Sequence, residues 1–129
     1  MSTRVLVVDD SLMVRAQAKR ALEGAGFEVV EAGNGLEALE RLTDDIACVL
    51  CDVNMPTMNG VEFLEAASKS GKAMPPVLMV TTESEANLIR RARALGAMGW
   101  MLKPYKPEAL IATVKKLAAR GRSVPRCAS

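Results

Sequence analysis

Short apolar runs alternate with longer amphipathic stretches along this chain. The apolar runs predict five strands, at residues 4–8, 28–32, 46–51, 77–80 and 98–102. The stretches between them have helical spacing and predict five helices, at residues 13–23, 36–42, 61–68, 85–95 and 107–119. Regular alternation of strand and helix predicts right-handed crossovers and a parallel sheet that is covered by helices on both faces.

The polarity of the strands predicts their order in that sheet. The first, third and fourth strands are the most uniformly apolar, so we expect them at the centre, whereas the second and fifth are more mixed and fit the edges. The resulting order is 2-1-3-4-5. It matches a known arrangement, the flavodoxin-like (βα)5 doubly wound α/β fold with five parallel strands.

Length and charge narrow the class of protein. The chain has 129 residues, and half of them are hydrophobic. This suits a single domain, which we place at residues 1–122, followed by a tail at 123–129 that we expect to be disordered. A net charge of +2 is too weak to argue for nucleic acid. Neither a membrane span nor a signal-peptide layout is found in the sequence, so we expect a cytoplasmic monomer that binds no membrane.

The cysteines formally include a redox motif, because Cys48 and Cys51 have the C-x-x-C spacing. Both lie in a predicted strand, where positions three apart face opposite sides and stand about 10 Å apart. A disulfide needs Cα atoms within roughly 7 Å. We therefore interpret both as small buried hydrophobic residues, and we expect Cys127 to be exposed in the tail.

The residues with candidate chemistry stand where the predicted strands end. Asp9 and Asp10 end the first strand, Asp52 the third, Thr81 the fourth and Lys103 the fifth. In the predicted order these four strands are contiguous, and their carboxyl ends share one rim of the sheet. Ligands of such folds bind at this rim, in the crevice between strands one and three. We therefore expect the five side chains to converge.

Three converging carboxylates call for a cation. Within about 4 Å of one another they repel by roughly 4 kcal/mol per pair at an effective dielectric near 20. The donors are hard oxygens and the chain contains no histidine, which favours Mg²⁺, with Mn²⁺ as the alternative, over Zn²⁺ or Cu²⁺. An aspartate held beside such an ion, Lys103 and the Thr81 hydroxyl can attack phosphorus, because those groups stabilise the phosphoryl oxygens.

Each feature taken alone also has an ordinary structural interpretation. Asp9 and Asp10 could cap a helix, Thr81 and Thr82 could cap the end of a strand, and Lys103 could be a solvated loop residue. Only their joint arrangement at the ends of the right strands favours a phosphoryl site.

The sequence resembles the receiver domain of response regulators over residues 4–119, and chemotaxis regulators of the CheY type most of all. The resemblance lies in Val7-Val8-Asp9-Asp10-Ser11, Asp52-Val53-Asn54-Met55-Pro56, Asn59-Gly60, Val77-Leu78-Met79-Val80-Thr81 and Gly99-Trp100-Met101-Leu102-Lys103-Pro104-Tyr105. Trp100 replaces the usual Tyr or Phe, and Asn59 replaces the usual Asp.

The resemblance implies that Asp52 accepts a phosphoryl group from a phosphohistidine of a sensor histidine kinase. It implies that Asp10, Asp52 and the backbone carbonyl of Asn54 bind Mg²⁺ directly and that Asp9 acts through water. Such a protein is not an enzyme beyond self-catalysed phosphotransfer and autodephosphorylation.

The resemblance also implies a switch. Lys103 contacts the phosphoryl group, Thr81 moves toward it, and Trp100 fills the vacated space. Pro104, in a cis peptide bond with Lys103, and Thr82 are the expected conformational residues. The bistable element extends from the fourth strand to the last helix, and phosphorylation shifts its populations.

Two other classes share parts of this pattern. A phosphatase of the haloacid-dehalogenase type needs a second Asp two residues after its nucleophile, and this chain has Asn54 there, which cannot act as a general acid. A flavodoxin-like cofactor carrier needs a phosphate-binding loop after strand one, where Asp9 and Asp10 would repel phosphate.

The sequence leaves several outputs of the switch open. Arg90, Arg91 and Arg93 on the fourth helix form either a solvated face or a docking surface for an acidic partner. By the resemblance, the face of helix four, strand five and helix five would bind a flagellar motor switch protein in chemotaxis or motility. The alternatives are a phosphate sink and the control of another enzyme. Since the chain has no room for an output domain, we expect no DNA binding through one.

Overall fold

The computed structural model of the protein describes residues 3–53, 55, 58–70, 74–81 and 86–120. The strands are β1 (Arg4–Val8), β2 (Glu28–Ala32), β3 (Ile46–Asp52), β4 (Val77–Thr81) and β5 (Gly99–Leu102). The helices are α1 (Leu12–Gly24), α2 (Gly35–Arg41), α3 (Gly60–Lys69), α4 (Ala86–Ala94) and α5 (Pro107–Ala118). All the predicted elements are therefore present. Where a bound differs from its prediction, it differs by one residue.

The five strands form one parallel sheet in the order β2-β1-β3-β4-β5, which confirms the predicted order and fold class. β3 and β4 each extend one residue further than the apolar pattern indicated, because Asp52 and Thr81 remain paired within the sheet. The candidate side chains therefore belong to the last paired positions of the strands.

The core has two layers, one on each face of the sheet. The α1/α5 face buries residues of β1, β3 and β4 against Leu22, Leu110 and Val114. The α2–α4 face buries the alternate strand residues against the helices around Phe63 and Leu64. Strand side chains alternate between the two layers because successive residues of a strand point to opposite faces.

This alternation decides the cysteine question. Cys48 lies in the α1/α5 layer and Cys51 in the α2–α4 layer, and both are buried and free. Burial raises the pKa of the Cys48 thiol to about 12. The prediction that both are small core residues rather than a redox pair is confirmed.

Side-chain caps fix the starts of three helices at the candidate rim. Ser11 caps α1, Asn34 caps α2 and Asn59 caps α3, each accepting a hydrogen bond from a backbone N–H of the first turn. Pro107 opens α5, as predicted from its preference for the first helical position. The helices that follow Asp10 and Asp52 in the chain therefore each begin at a side-chain cap.

Some predictions fall outside the described residues, namely those on Asn54, Thr82, Cys127 and the tail 123–129. Among the described helices, none is long and apolar enough to span a membrane.

Candidate functional site

Three carboxylates meet at the carboxyl end of the sheet. Each of Asp9, Asp10 and Asp52 offers an oxygen that lies within 4.8 Å of those of the other two. Asp9 and Asp52 are buried, with 5 % and 7 % of their surface exposed, whereas Asp10 is exposed. The predicted convergence of the three acids is therefore present, and the cluster opens to solvent on the side of Asp10.

Lys103 follows the edge strand β5 and joins two of these acids. Its Nζ lies 2.9 Å from Asp9 Oδ2 and 3.3 Å from Asp52 Oδ2. Burial would lower the pKa of Lys103, but the hydrogen bond to Asp9 and the charges of both carboxylates outweigh it and raise the pKa. Lys103 is therefore a fixed cation, and the prediction that it stands beside the acids is confirmed.

The donor set fits a divalent metal ion. The cluster holds three carboxylates and one ammonium group, which contacts two of them, so negative charge remains in excess within the described cluster. The nearby Cys51 offers no thiolate, because burial and the charges of Asp52 and Asp9 raise the pKa of its thiol. Oxygen donors without nitrogen or sulfur suit a hard cation. Asp9, Asp10 and Asp52 could hold it.

Thr81 ends β4 beside this cluster. It is buried, and its carbonyl accepts a 2.7 Å hydrogen bond from the backbone N–H of Lys103. One residue earlier, Val80 pairs with Asp52 across the sheet. Thr81 therefore lies between the ends of the strands that carry Asp52 and Lys103, as expected from the strand order.

Trp100 and Tyr105 lie on opposite sides of the sheet. Trp100 is half-buried against the α2–α4 layer, and its indole N–H is enclosed with no acceptor among the described residues. Tyr105 packs against the α1/α5 layer, where burial raises the pKa of its hydroxyl. Between them the Lys103–Pro104 peptide bond is cis, the configuration that the resemblance implied.

The three arginines of α4 are exposed. Arg91 forms an ion pair with Glu65 of α3 at 2.7 Å, so its charge is partly neutralised within the protein. Arg90 and Arg93 stand on the same short helix, close to β5 in the chain. The structure places them on a surface but does not bring them to the site.

Gly60 contributes to the site without a functional side chain, and the sequence singles it out only as part of the Asn59-Gly60 pair in the family resemblance. A Cβ at this position would lie 2.5 Å from the Asp52 carbonyl oxygen and 2.9 Å from Met79 Cε. The Gly60 N–H donates to the Val53 carbonyl at 3.0 Å. The start of α3 therefore presses directly on the end of β3. The Asn-Gly pair before an apolar helix is the one sequence signal that points to this contact.

Arg15 and Glu31 also border the site, and neither was predicted. Arg15 donates from Nη1 to the Asp9 backbone carbonyl at 2.7 Å and from Nε to Glu31 Oε1 at 3.1 Å. Burial pushes the pKa of Glu31 upward, but hydrogen bonds from Arg15 and Lys19 outweigh it and lower the pKa. Residues 15 and 31 are distant in sequence and meet only in the folded protein, so no local motif predicts their ion pair.

Comparison with known proteins decides the family. The family profile described as the response regulator receiver domain matches residues 5–115, most of the chain. The chain belongs to the response-regulator receiver family. Receivers are phosphoacceptor switches of two-component signalling that partner with histidine kinases, and they are signalling modules rather than catalytic enzymes. The acidic triad is consistent with the divalent metal site typical of receivers.

Two curated relatives match nearly all of this chain but only about half of their own length. The chain is 36 % identical over 121 residues to a transcriptional regulatory protein of Haemophilus influenzae, the CpxR homolog, covering 94 % of this chain and 52 % of that protein. It is 33 % identical over 124 residues to the transcriptional regulatory protein SrrA of Staphylococcus aureus, covering 95 % of this chain and 51 % of that protein. The chain thus spans about half the length of these curated relatives.

A solved structure matches this receiver over nearly its whole length. The chemotaxis protein CheY4 of Vibrio cholerae is 38 % identical, with a TM-score of 0.84, and the match covers 91 % of this chain and 99 % of that one. A CheY-like receiver of Methanospirillum hungatei is 28 % identical with a TM-score of 0.85, covering 93 % and 96 %. The fold of this chain is therefore that of CheY-like receivers.

Proposed function

We propose that Asp52 is the phosphoacceptor of this receiver and that it takes a phosphoryl group from a phosphohistidine of a sensor kinase. The observation that carries this is the contact of Asp52 with Lys103 inside a cluster of three carboxylates. Asp9 is committed on both oxygens, since Oδ1 accepts from the Ser11 N–H and Oδ2 from Lys103. Asp10 is the exposed member. Asp52 lies at the end of the central strand β3, where it is buried and in contact with Lys103.

The transfer needs one bond made and one broken. A carboxylate oxygen of Asp52 attacks phosphorus, and the bond between phosphorus and the imidazole nitrogen of the donor breaks, its electron pair returning to that nitrogen. Lys103 stays charged throughout and stabilises the developing charge on a phosphoryl oxygen. The Thr81 hydroxyl then donates to the bound phosphoryl group, and Trp100 repacks into the space that Thr81 leaves, with Thr82 and Pro104 in the connecting backbone.

Mg²⁺ is the metal ion that we propose for this site, with Mn²⁺ as a substitute. Asp10, Asp52 and the Asn54 carbonyl would hold it directly, and Asp9 would hold it through water. When bound, the ion offsets the repulsion of the carboxylates and of the entering phosphoryl group. An all-oxygen site with few protein ligands supports this choice.

Incubation with acetyl phosphate and Mg²⁺, read on a phosphate-affinity gel, tests the proposal. The native protein should give a shifted band, and Asp52→Asn should give none. Asp44→Asn is the matched control, because it removes an exposed carboxylate outside the acidic cluster. A shifted band that persists in Asp52→Asn would show that another residue is phosphorylated, and no shift in the native protein would make this receiver degenerate.

For the output, we propose chemotaxis or motility signalling through the face of α4, β5 and α5. The near-complete match with a chemotaxis protein supports this, as does the exposed surface of Arg90, Arg91 and Arg93. A second candidate is transcriptional control within a longer protein, which the half-length match to transcriptional regulators favours. A phosphate sink or the control of another enzyme are further outcomes of the test.

Co-purification with flagellar motor switch proteins separates these outputs. Protein treated with acetyl phosphate should enrich a motor switch protein, and Asp52→Asn treated in the same way should not. Arg93→Glu should weaken the enrichment, whereas Lys69→Glu on α3 should not. If phosphorylated protein enriches no motor switch protein, the motility output is wrong, although the phosphoacceptor proposal stands.

A further inference from the structure

Arg15 joins the second strand to the acidic cluster. Its side chain is largely buried, with 16 % exposed, and it lies between Glu31 on β2 and the main chain of Asp9. The two hydrogen bonds leave from different nitrogens, Nε and Nη1, so the planar guanidinium holds both partners in one fixed geometry. Lys19 contacts the other oxygen of Glu31 at 3.4 Å, which fixes the carboxylate from a second side.

The bond to Asp9 acts on the peptide unit that leads into Asp10. The Asp9 N–H already donates to the Ala32 carbonyl at 3.1 Å, so the residue is fixed on its amino side by β2. On its carboxyl side, Arg15 holds the Asp9 carbonyl and thereby the plane of the Asp9–Asp10 peptide bond. Within the described part of the chain, Asp10 makes no side-chain hydrogen bond or ion pair. Its carboxylate is therefore placed by this backbone.

We propose that Arg15 is a positioning residue for the metal site: by bridging Glu31 and the Asp9 carbonyl, it holds the Asp9 and Asp10 carboxylates in the arrangement that binds Mg²⁺ together with Asp52. This inference rests on the proposed Mg²⁺ site. Arg15 touches neither the metal ligands' carboxylates nor the phosphoryl group. It acts through the main chain, and its effect should appear as the affinity for the ion.

The surroundings are built to admit this bridge. A Cβ at Gly33 would lie 3.4 Å from Arg15 Nη1, which is ordinary van der Waals contact, so the turn after β2 packs beside the guanidinium without crowding it. Gly33 is held by a hydrogen bond from its N–H to Glu37 Oε1 at 3.1 Å, which ties the start of α2 to the same region. The bridge is thus enclosed between α1, β2 and the turn into α2.

Titration of the full chain with Mg²⁺ alone, followed by calorimetry without a phosphodonor, tests the inference. Arg15→Gln should raise the dissociation constant about tenfold, since residues that orient metal ligands typically change affinity by 10- to 100-fold. Arg15→Lys keeps the charge but cannot bridge both partners, and it should fall between native protein and Arg15→Gln. Lys19→Gln is the matched control, because it removes a cation from Glu31 but leaves the Arg15 bridge. Its dissociation constant should stay within about twofold of the native value.

The outcomes separate this inference from the proposed function. If native protein binds Mg²⁺ and Arg15→Gln binds it equally well, Arg15 has no positioning role, and the proposed site stands. If native protein binds no Mg²⁺, the proposed metal site is wrong and the inference fails with it. Circular dichroism at the titration temperature confirms that each variant is folded. Should Arg15→Gln be unfolded, Arg15→Lys and Glu31→Gln decide: native affinity in both would overturn the inference.

Discussion

Gly60 shows how a residue without a side chain can control a reactive one. The Asp52 carbonyl oxygen lies 2.5 Å from the place where a Cβ would stand, and the Val53 Cα lies 3.0 Å from it. Because these contacts are main chain, they cannot move aside as the end of a flexible side chain can. The position of α3 and that of Asp52 are therefore set together.

We expect Gly60→Ala to lower the free energy of unfolding by about 1–3 kcal/mol, because the new methyl group forces the end of β3 or the start of α3 to shift. Phosphorylation by acetyl phosphate should slow at the same time. Urea denaturation and the rate of band shift on a phosphate-affinity gel measure the two effects.

Gly24→Ala is the control for this change. Gly24 is also helical, and a Cβ there would meet nothing within 4 Å. The same substitution should leave phosphorylation unchanged and stabilise the protein by about 0.5–1 kcal/mol. Equal destabilisation by both variants would mean that the close approach at Gly60 is not the cause.

At the scale of elements, α3 is held by a reciprocal pair of hydrogen bonds at its start. The Glu62 N–H donates to Asn59 Oδ1 at 2.8 Å, and the Asn59 N–H donates to Glu62 Oε1 at 3.0 Å. This capping box satisfies two backbone donors next to Gly60. It also explains how Asn replaces the Asp usual here, since either side chain can accept the bond.

Asn59→Ala should therefore cost about 1 kcal/mol of stability, within the usual range for losing a helix cap, whereas Asn59→Asp should cost little. Thermal denaturation at fixed Mg²⁺ measures both. If Asn59→Asp were as destabilising as Asn59→Ala, the capping bond would not be what position 59 supplies.

The elements themselves followed from the sequence because their causes are local. The apolar runs, the helical spacing and the glycine and proline boundaries lie within a few residues of one another, so strands β1 to β5 were predicted with small errors at their ends. The errors at the ends of β3 and β4 share a reason: Asp52 and Thr81 are polar but stay in the sheet, because Asp52 pairs with Val80 and Thr81 pairs with Leu102. A hydropathy pattern does not indicate such pairing, because it depends only on the polarity of the side chains.

The site was predicted in part. Asp9, Asp10, Asp52, Thr81 and Lys103 each stand at a strand end, and the strand order brought them together without knowledge of any contact. Arg15 and Glu31 were not predicted, and Gly60 was named only within the family resemblance, because their roles depend on distances across the fold. Nothing in the order of residues 15 and 31 indicates that a guanidinium will span from β2 to the Asp9 carbonyl.

On the scale of the whole molecule, the acidic cluster that is proposed to bind the metal ion also affects the stability of the fold. Without a divalent ion, three neighbouring carboxylates repel one another in the folded state but separate when the chain unfolds. With the ion bound, binding to the folded state alone stabilises it by mass action. Mg²⁺ should therefore raise the melting temperature of the native protein in a concentration-dependent way.

Asp10→Asn should change how the melting temperature compares with that of native protein, in opposite directions without and with Mg²⁺. In EDTA the variant should melt higher than native protein, by roughly 2–4 °C, because one repelling charge is gone. In millimolar Mg²⁺ it should melt lower, because a metal ligand is gone. Differential scanning fluorimetry over a Mg²⁺ series measures both, with Asp44→Asn as the control for loss of an exposed charge. An equal rise for native protein and Asp10→Asn would place the bound ion elsewhere.

The two-layered core has a practical consequence for watching this protein at work. The chain contains one tryptophan and one tyrosine, and both are half-buried, each against a different layer of the core. Indole fluorescence therefore monitors the side of α2–α4, and phenol absorbance monitors the side of α1 and α5. The timing of events on the two sides can be followed separately in solution, by optical spectroscopy and without any attached label.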